Sequence, residues 1–147
     1  MNTQENESYL IDTNIFLRLI VKDDEKSFED CFSLLEGVKN SRYKAITTTV
    51  TLSEIAWTLL SFYKMDKRDV ISAISSILSL QGLEIIDQYD HILTLEIFLE
   101  KNVKYIDALI ASMAISIGKN CIIVSYDKDF DKIEKINRKE PREIISQ

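Results

Sequence analysis

Short apolar runs alternate along this 147-residue chain with stretches whose apolar residues recur every three to four positions. That alternation constrains the fold more than any other feature. A strand followed by a helix returns to its sheet parallel to the strand before, and helices then cover both faces. Three glycines and one proline in the whole chain leave little room for irregular loops, so short turns must join the segments. Tyr9-Leu10-Ile11 is a first strand, stopped at Asp12-Thr13-Asn14, which are good helix N-caps ahead of Ile15–Val21. A helix fits Glu25–Val38, with Phe28, Cys31, Phe32, Leu35 and Val38 on one stripe, and β-branched Tyr43–Val50 reads as a second strand. Helical periodicity resumes at Leu52 and again after Asp66, a candidate cap. Gly82 precedes a strand at Leu83–Ile86. Two more helices fit Asp90–Lys101 and Ile106–Ile117, the second stopped by Gly118. Cys121–Val124 is a buried strand broken at Ser125-Tyr126-Asp127, and Glu143-Ile144-Ile145 reads as an edge strand. The expected architecture is α/β, a three-layer α/β/α sandwich around a parallel sheet of four to five strands. Its functional cleft should lie at the carboxyl ends of those strands.

Several function classes are excluded early. No apolar run approaches the roughly 18–20 residues that span a bilayer, so no membrane is involved. The opening MNTQENES is too polar for a secretory signal, and residues 1–8 are expected to form a flexible tail before a single domain at 9–147. Cys31 and Cys121 lie far apart and read as buried reduced thiols of a cytoplasmic protein. His91 is the one histidine, which leaves histidine-based catalysis or ligation little to work with. A formal net charge of −6 argues against indiscriminate nucleic-acid binding, while allowing a local basic patch to grip a few phosphates.

Most acids sit on solvated helix faces, Asp23, Asp24, Glu25, Glu29 and Asp30 among them. Four do not. Asp12 follows the first strand and Asp127 the last buried one, and in a doubly wound sheet such distant strand ends can become neighbours. Glu54 shares a helix face with Trp57 and Thr58. Asp107 shares one with Ile110, Ala111 and Ala114, where an acid is rare unless it caps, pairs or binds a cation. Four converging carboxylates would raise one another's pKa values unless a cation neutralised them. Oxygen ligands without a His or Cys cluster point to Mg²⁺ or Mn²⁺, ions suited to phosphodiester hydrolysis.

The segments YLIDTNIFLRLI, SEIAWTLL, YIDALIASMAI and IIVSYDKDFDKI, in this order, resemble the PIN-domain nucleases and, more narrowly, the VapC-type toxins of toxin–antitoxin pairs. The resemblance runs from about Tyr9 to Ile133 and makes 9–147 a PIN-like domain. It implies an endoribonuclease whose acidic site falls on Asp12, Glu54, Asp107 and Asp127. Asp12, Asp107 and Asp127 would be metal ligands, and Glu54 would orient or deprotonate the attacking water. Thr13, Asn14 and Ser125 would support the site, and Asp129 is assigned a capping role. The implied partners are an RNA substrate, a cognate antitoxin and a second copy of the chain. Arg18, Lys22, Lys104 and Lys128 are the candidate phosphate contacts. A catalytically silent PIN-like binding module is the alternative. A phospho-accepting receiver-like domain fits less well, because only a single acid follows the first strand.

Overall fold

In the computed structural model, which describes residues 6–147, the first apolar run forms strand β1 (Ser8–Ile11). Successive side chains leave a strand on opposite sides. Tyr9 and Ile11 enter one core with Ile15, Phe16, Leu34 and Leu59, whereas Leu10 enters a second with Ile46, Ile110, Met113 and Ile123. A strand with no solvated face requires helices on both sides. The chain supplies them as α1 (Thr13–Val21), α2 (Glu25–Lys39), β2 (Ala45–Thr47), α3 (Thr49–Ser61), α4 (Lys67–Leu78), β3 (Leu83–Ile85), α5 (His91–Glu100), α6 (Tyr105–Ile117), β4 (Cys121–Val124), a 3-10 turn (Lys128–Lys132), β5 (Asn137–Lys139) and α7 (Pro141–Ile145). Helices α1–α4 and α7 pack on the Tyr9 face, and α5 and α6 on the Leu10 face. The expected three-layer sandwich is the observed one.

All strand pairs are parallel, and the spatial order is β3-β2-β1-β4-β5. The crossover that matters joins the two ends of the sequence: Ser8 pairs with Cys121 and Ile11 with Val124, so Asp12 and Ser125 emerge side by side. Gly118 stops α6 at φ 121, a conformation that favours glycine. Gly82 leads into β3 so close to α2 that a β-carbon there would meet the Val38 carbonyl oxygen.

Some boundaries differ from expectation. The second strand covers only Ala45–Thr47, because Thr48 leaves the strand ladder and its hydroxyl accepts the Thr51 N–H as the N-cap of α3. Glu143–Ile145 is not an edge strand. Pro141 opens a helix there, and Glu140 and Glu143 close a capping box around its first turn; the edge strand is instead the polar Asn137–Lys139. The stripe on α2 is rotated from the one expected, burying Cys31, Leu34, Leu35 and Val38 and leaving Phe32 51 % exposed. Of the expected tail 1–8, residues 1–5 lie outside the described part, Ser8 opens β1, and Glu7 accepts a hydrogen bond from the Tyr9 hydroxyl. Both cysteines are buried and free. No described helix is long and apolar enough to cross a membrane.

Candidate active site

Two strand ends and two helices converge at the carboxyl edge of the sheet on a cleft of about 320 Å³. Asp12, Glu54, Asp107 and Asp127 all line it, together with Thr13, Asn14, Leu17, Trp57, Thr58 and Lys104. The four acids singled out in the sequence therefore share one cavity. Asp12 comes from the end of β1 and Asp127 from just beyond β4. Glu54 projects from the second turn of α3, and Asp107 from the first turn of α6.

Asp12 is held from three directions. Its Oδ1 accepts the Thr13 N–H at 2.9 Å, and its Oδ2 accepts the Ser125 hydroxyl at 2.7 Å and the Asn14 amide at 3.2 Å. Ser125 is the hub of this network. It also accepts the Asn14 Nδ2 at 3.0 Å and the Asp127 N–H at 3.0 Å, while the Asn14 Oδ1 accepts the Tyr126 N–H at 3.2 Å. One serine and one asparagine thus lock the ends of β1 and β4 together. Burial, with the charges of Glu54 and Asp127 adding to it, pushes Asp12 up to about 6 despite its hydrogen bonds to Ser125 and Thr13.

Asp107 is the more exposing case for the site's chemistry. It is 5 % accessible, and its Oδ2 has no hydrogen-bond partner. It is not a cap: the N-cap position of α6 is taken by Lys104, whose side chain makes no capping bond. Burial, then the charges of Asp12 and Asp127, raise its pKa to about 7, with only Lys104 acting the other way. A buried carboxylate oxygen without a donor costs about 1–3 kcal/mol or more, and a cation in the cleft would remove that penalty. The Thr13 hydroxyl, from another residue lining the cleft, is likewise buried without a partner.

Oxygen atoms of Asp107, Asp127 and Asp129 lie within 4.8 Å of one another, close enough to share a metal ion. Asp129 was expected to cap; the capping bond belongs to Asp127, whose Oδ1 accepts the Asp129 N–H at 2.9 Å. Asp129 instead faces the other acids while pairing with Lys132 at 2.8 Å. The donor set, carboxylates with one orphaned oxygen and no nitrogen or sulfur ligand, fits a hard divalent cation.

The four candidate phosphate contacts are not equivalent. Lys104 lines the acid cleft. Arg18 borders an adjoining pocket that shares Asn14 and Leu17 with it, but is engaged by Asp23 and Asp24 and lies over the Tyr126 ring. Lys22 is stacked over Phe28 on an apolar groove between α1, α2 and α4, and Lys128 is in the 3-10 turn, outside the residues that line the cleft.

Two contributors were not legible in the sequence. The Thr47 hydroxyl donates to the Ile11 carbonyl at 3.0 Å, fixing the peptide that carries Asp12. Arg138, on β5, donates to the Ser125 carbonyl at 3.0 Å, to both oxygens of Asp131 at 2.9 and 3.0 Å, and to Glu140 at 3.3 Å. Its side chain is only 12 % exposed. It ties the residue before Tyr126-Asp127 to the turn after it. The signal available in sequence, an arginine in a polar segment, is too common to have been useful.

Comparison with known proteins agrees with this geometry. No curated protein sequence matches the chain. Among solved structures, VapBC2 from Rickettsia felis, bound to a DNA fragment from its promoter, is similar over 90 % of this chain and 98 % of the matched chain, with a TM-score of 0.65 and 23 % identity. PAE2754 from Pyrobaculum aerophilum is similar over 98 % of this chain and 99 % of its own, with a TM-score of 0.67 and 15 % identity. At those identities the likeness establishes the fold. The model of the PIN domain matches residues 9–136, most of the chain. With that match and an acid-lined cleft at the carboxyl edge of its sheet, the chain belongs to the PIN-domain family, whose members are generally nucleases and typically use divalent metals.

Proposed function

We propose that the protein is a Mg²⁺- or Mn²⁺-dependent endoribonuclease and the toxin member of a VapBC-type toxin–antitoxin pair. The observation that carries the proposal is the Asp107 Oδ2, buried without a donor among three other carboxylates. Asp12, Asp107 and Asp127 would hold the cation, joined by Asp129, whose carboxylate lies within 4.8 Å of those of Asp107 and Asp127. When bound, the ion would neutralise charge on the phosphodiester and lower the pKa of water. Ser125 and Asn14 keep the Asp12 carboxylate in one rotamer. Glu54, in the same cleft, would orient a water and take its proton as the water oxygen attacks phosphorus in line. The P–O bond to the ribose oxygen opposite would break, and that oxygen would leave as an alcohol with a proton from solvent. Lys104 offers the phosphate the positive charge that the overall balance of −6 lacks. The antitoxin partner is supported by similarity to the Rickettsia felis complex, and the exposed apolar residues of α3 and α5 suit contact with an antitoxin or a second copy.

Calorimetric titration with Mn²⁺ and Mg²⁺ at pH 8 tests the metal site. The wild-type protein is expected to bind, and Asp107→Asn to bind at least roughly tenfold more weakly. Equal affinity in the two proteins would contradict the assignment.

A further inference from the structure

Among the described residues, two buried side-chain oxygens lack a hydrogen-bond partner, Asp107 Oδ2 and Thr13 Oγ1, and both residues line the acid cleft. A cation accounts for the first. It does not account for the second, because a hydroxyl hydrogen needs an acceptor. Thr13 is 6 % accessible, and although four carboxylates line the same cavity, none takes its hydrogen. The other donors around Asp12 are committed within the protein. The Asn14 amide donates to Asp12 and Ser125, the Ser125 hydroxyl to Asp12 Oδ2, and the Thr13 N–H to Asp12 Oδ1. A residue that only filled this position would serve better as valine, which has the same shape and no polar atom to bury. The unpartnered hydroxyl therefore costs the empty protein stability, and a ligand that accepts its hydrogen removes that cost.

We infer that the Thr13 hydroxyl is the buried donor of a phosphate seat in this cleft, giving its hydrogen bond to a non-bridging oxygen of the phosphodiester. This rests on the nuclease reading and adds to it a residue that touches the substrate. Thr13 directly follows Asp12 and is the first residue of α1, so it stands at the positive end of a helix of nine residues. A phosphodiester has two non-bridging oxygens. With one turned toward the cation, the other needs a donor. Lys104 also lines the cleft but is exposed, and its charge is screened by solvent and salt. The Thr13 hydroxyl is shielded from water, where a hydrogen bond to an anion is stronger. It also adds no charge that would pair with the surrounding carboxylates.

Thr13→Val removes the hydroxyl and keeps the shape, and Thr13→Ser keeps the hydroxyl. Inorganic phosphate, titrated in saturating Mg²⁺ and followed by phosphorus NMR linewidths, should bind the wild type and bind Thr13→Val about tenfold more weakly. On a short RNA oligonucleotide the valine variant should lose a factor of about 10–100 in kcat/KM, and the serine variant should recover most of both losses. Calorimetric Mn²⁺ affinity should stay at the wild-type value. The melting temperature of Thr13→Val in EDTA should be no lower than that of the wild type, since an orphaned hydroxyl has left the interior. Four results would each overturn the inference: no phosphate bound by the wild type, equal binding by the valine variant, Mn²⁺ affinity that falls with the hydroxyl, or a valine variant that melts lower. The third would make Thr13 a metal ligand, and the fourth would give its hydroxyl a structural partner. The two readings fail separately. Phosphate held through Thr13 by a protein that cuts no RNA would sink the nuclease and leave the seat. RNA cut with equal kcat/KM by the wild type and the valine variant would sink the seat and leave the nuclease.

Discussion

Asp12 and Asp107 are built for something other than stability. An ordinary aspartate titrates near 3.8; these are lifted to about 6 and about 7, mainly by burial and then by neighbouring carboxylates, Glu54 and Asp127 for the first and Asp12 and Asp127 for the second. In the unfolded chain both return to the ordinary value. Between the two limits the folded protein holds more protons than the unfolded one, so metal-free stability falls as pH rises from about 3.8 to about 7. Asp107→Asn removes the larger part of this effect. In EDTA it should be more stable than wild type at pH 8, by on the order of 2 kcal/mol, with a flatter profile between pH 5 and 8. Thermal melts across that range check it. A wild-type protein equally stable at both ends, or a variant less stable at pH 8, would contradict the electrostatic picture. The four acids were legible in sequence because two end apolar strands and two interrupt apolar helix faces. Their division of labour was not. Whether Asp127 or Asp129 caps the 3-10 turn depends on one backbone hydrogen bond, and both are acids within five residues of the end of β4, on opposite sides of Lys128.

At the scale of elements, most helices and strands were visible as a change of period, and the errors fell where two local signals competed. Thr47, Thr48 and Thr49 all have β-branched side chains, yet Thr48 is also a good cap, and capping prevailed because α3 must turn away from the sheet there. Ile144 and Ile145 look like a strand, but Pro141 and the Glu140–Glu143 box set a helix in which Ile144 is fully buried. Strand β5 was missed since Asn137-Arg138-Lys139 has no apolar residue at all; it is an edge held by pairing with β4 and by the contacts of Arg138. Those contacts have a consequence for the site. Arg138 braces the 3-10 turn through Asp131 and the start of the acidic loop through the Ser125 carbonyl. Arg138→Met should leave the sheet intact but speed hydrogen exchange of the Asp129–Lys132 amides about tenfold and lower kcat by a factor of about 10–100. Arg138→Lys, which keeps the charge but not the fork, should recover only part of each. Unchanged exchange in the methionine variant would mean that the turn holds itself.

For the whole molecule, the decisive fact is topological. Asp12 and Ser125 are 113 residues apart, yet the hydroxyl of one donates to the carboxylate of the other because β1 and β4 are central neighbours in the sheet. The alternation of strands and helices made a parallel sheet legible, and strand-end acids made its cleft legible. The order β3-β2-β1-β4-β5 was not written in any local pattern, since it follows from how helices of particular length pack on each face. On the proposed function, a protein of net charge −6 would act on a polyanion through this one cleft, where Lys104 stands among the acids that would hold the cation. On that same proposed function, this cleft cuts RNA with a bound divalent ion. The most direct measurement is electrophoresis of total RNA incubated with purified protein in Mg²⁺ or Mn²⁺, beside an EDTA control and the Asp12→Asn variant. Discrete cleavage by the wild type, abolished by EDTA and by Asp12→Asn in a variant that folds normally, is the predicted result. RNA left intact by folded, antitoxin-free protein, or cut equally well by the variant, would contradict it.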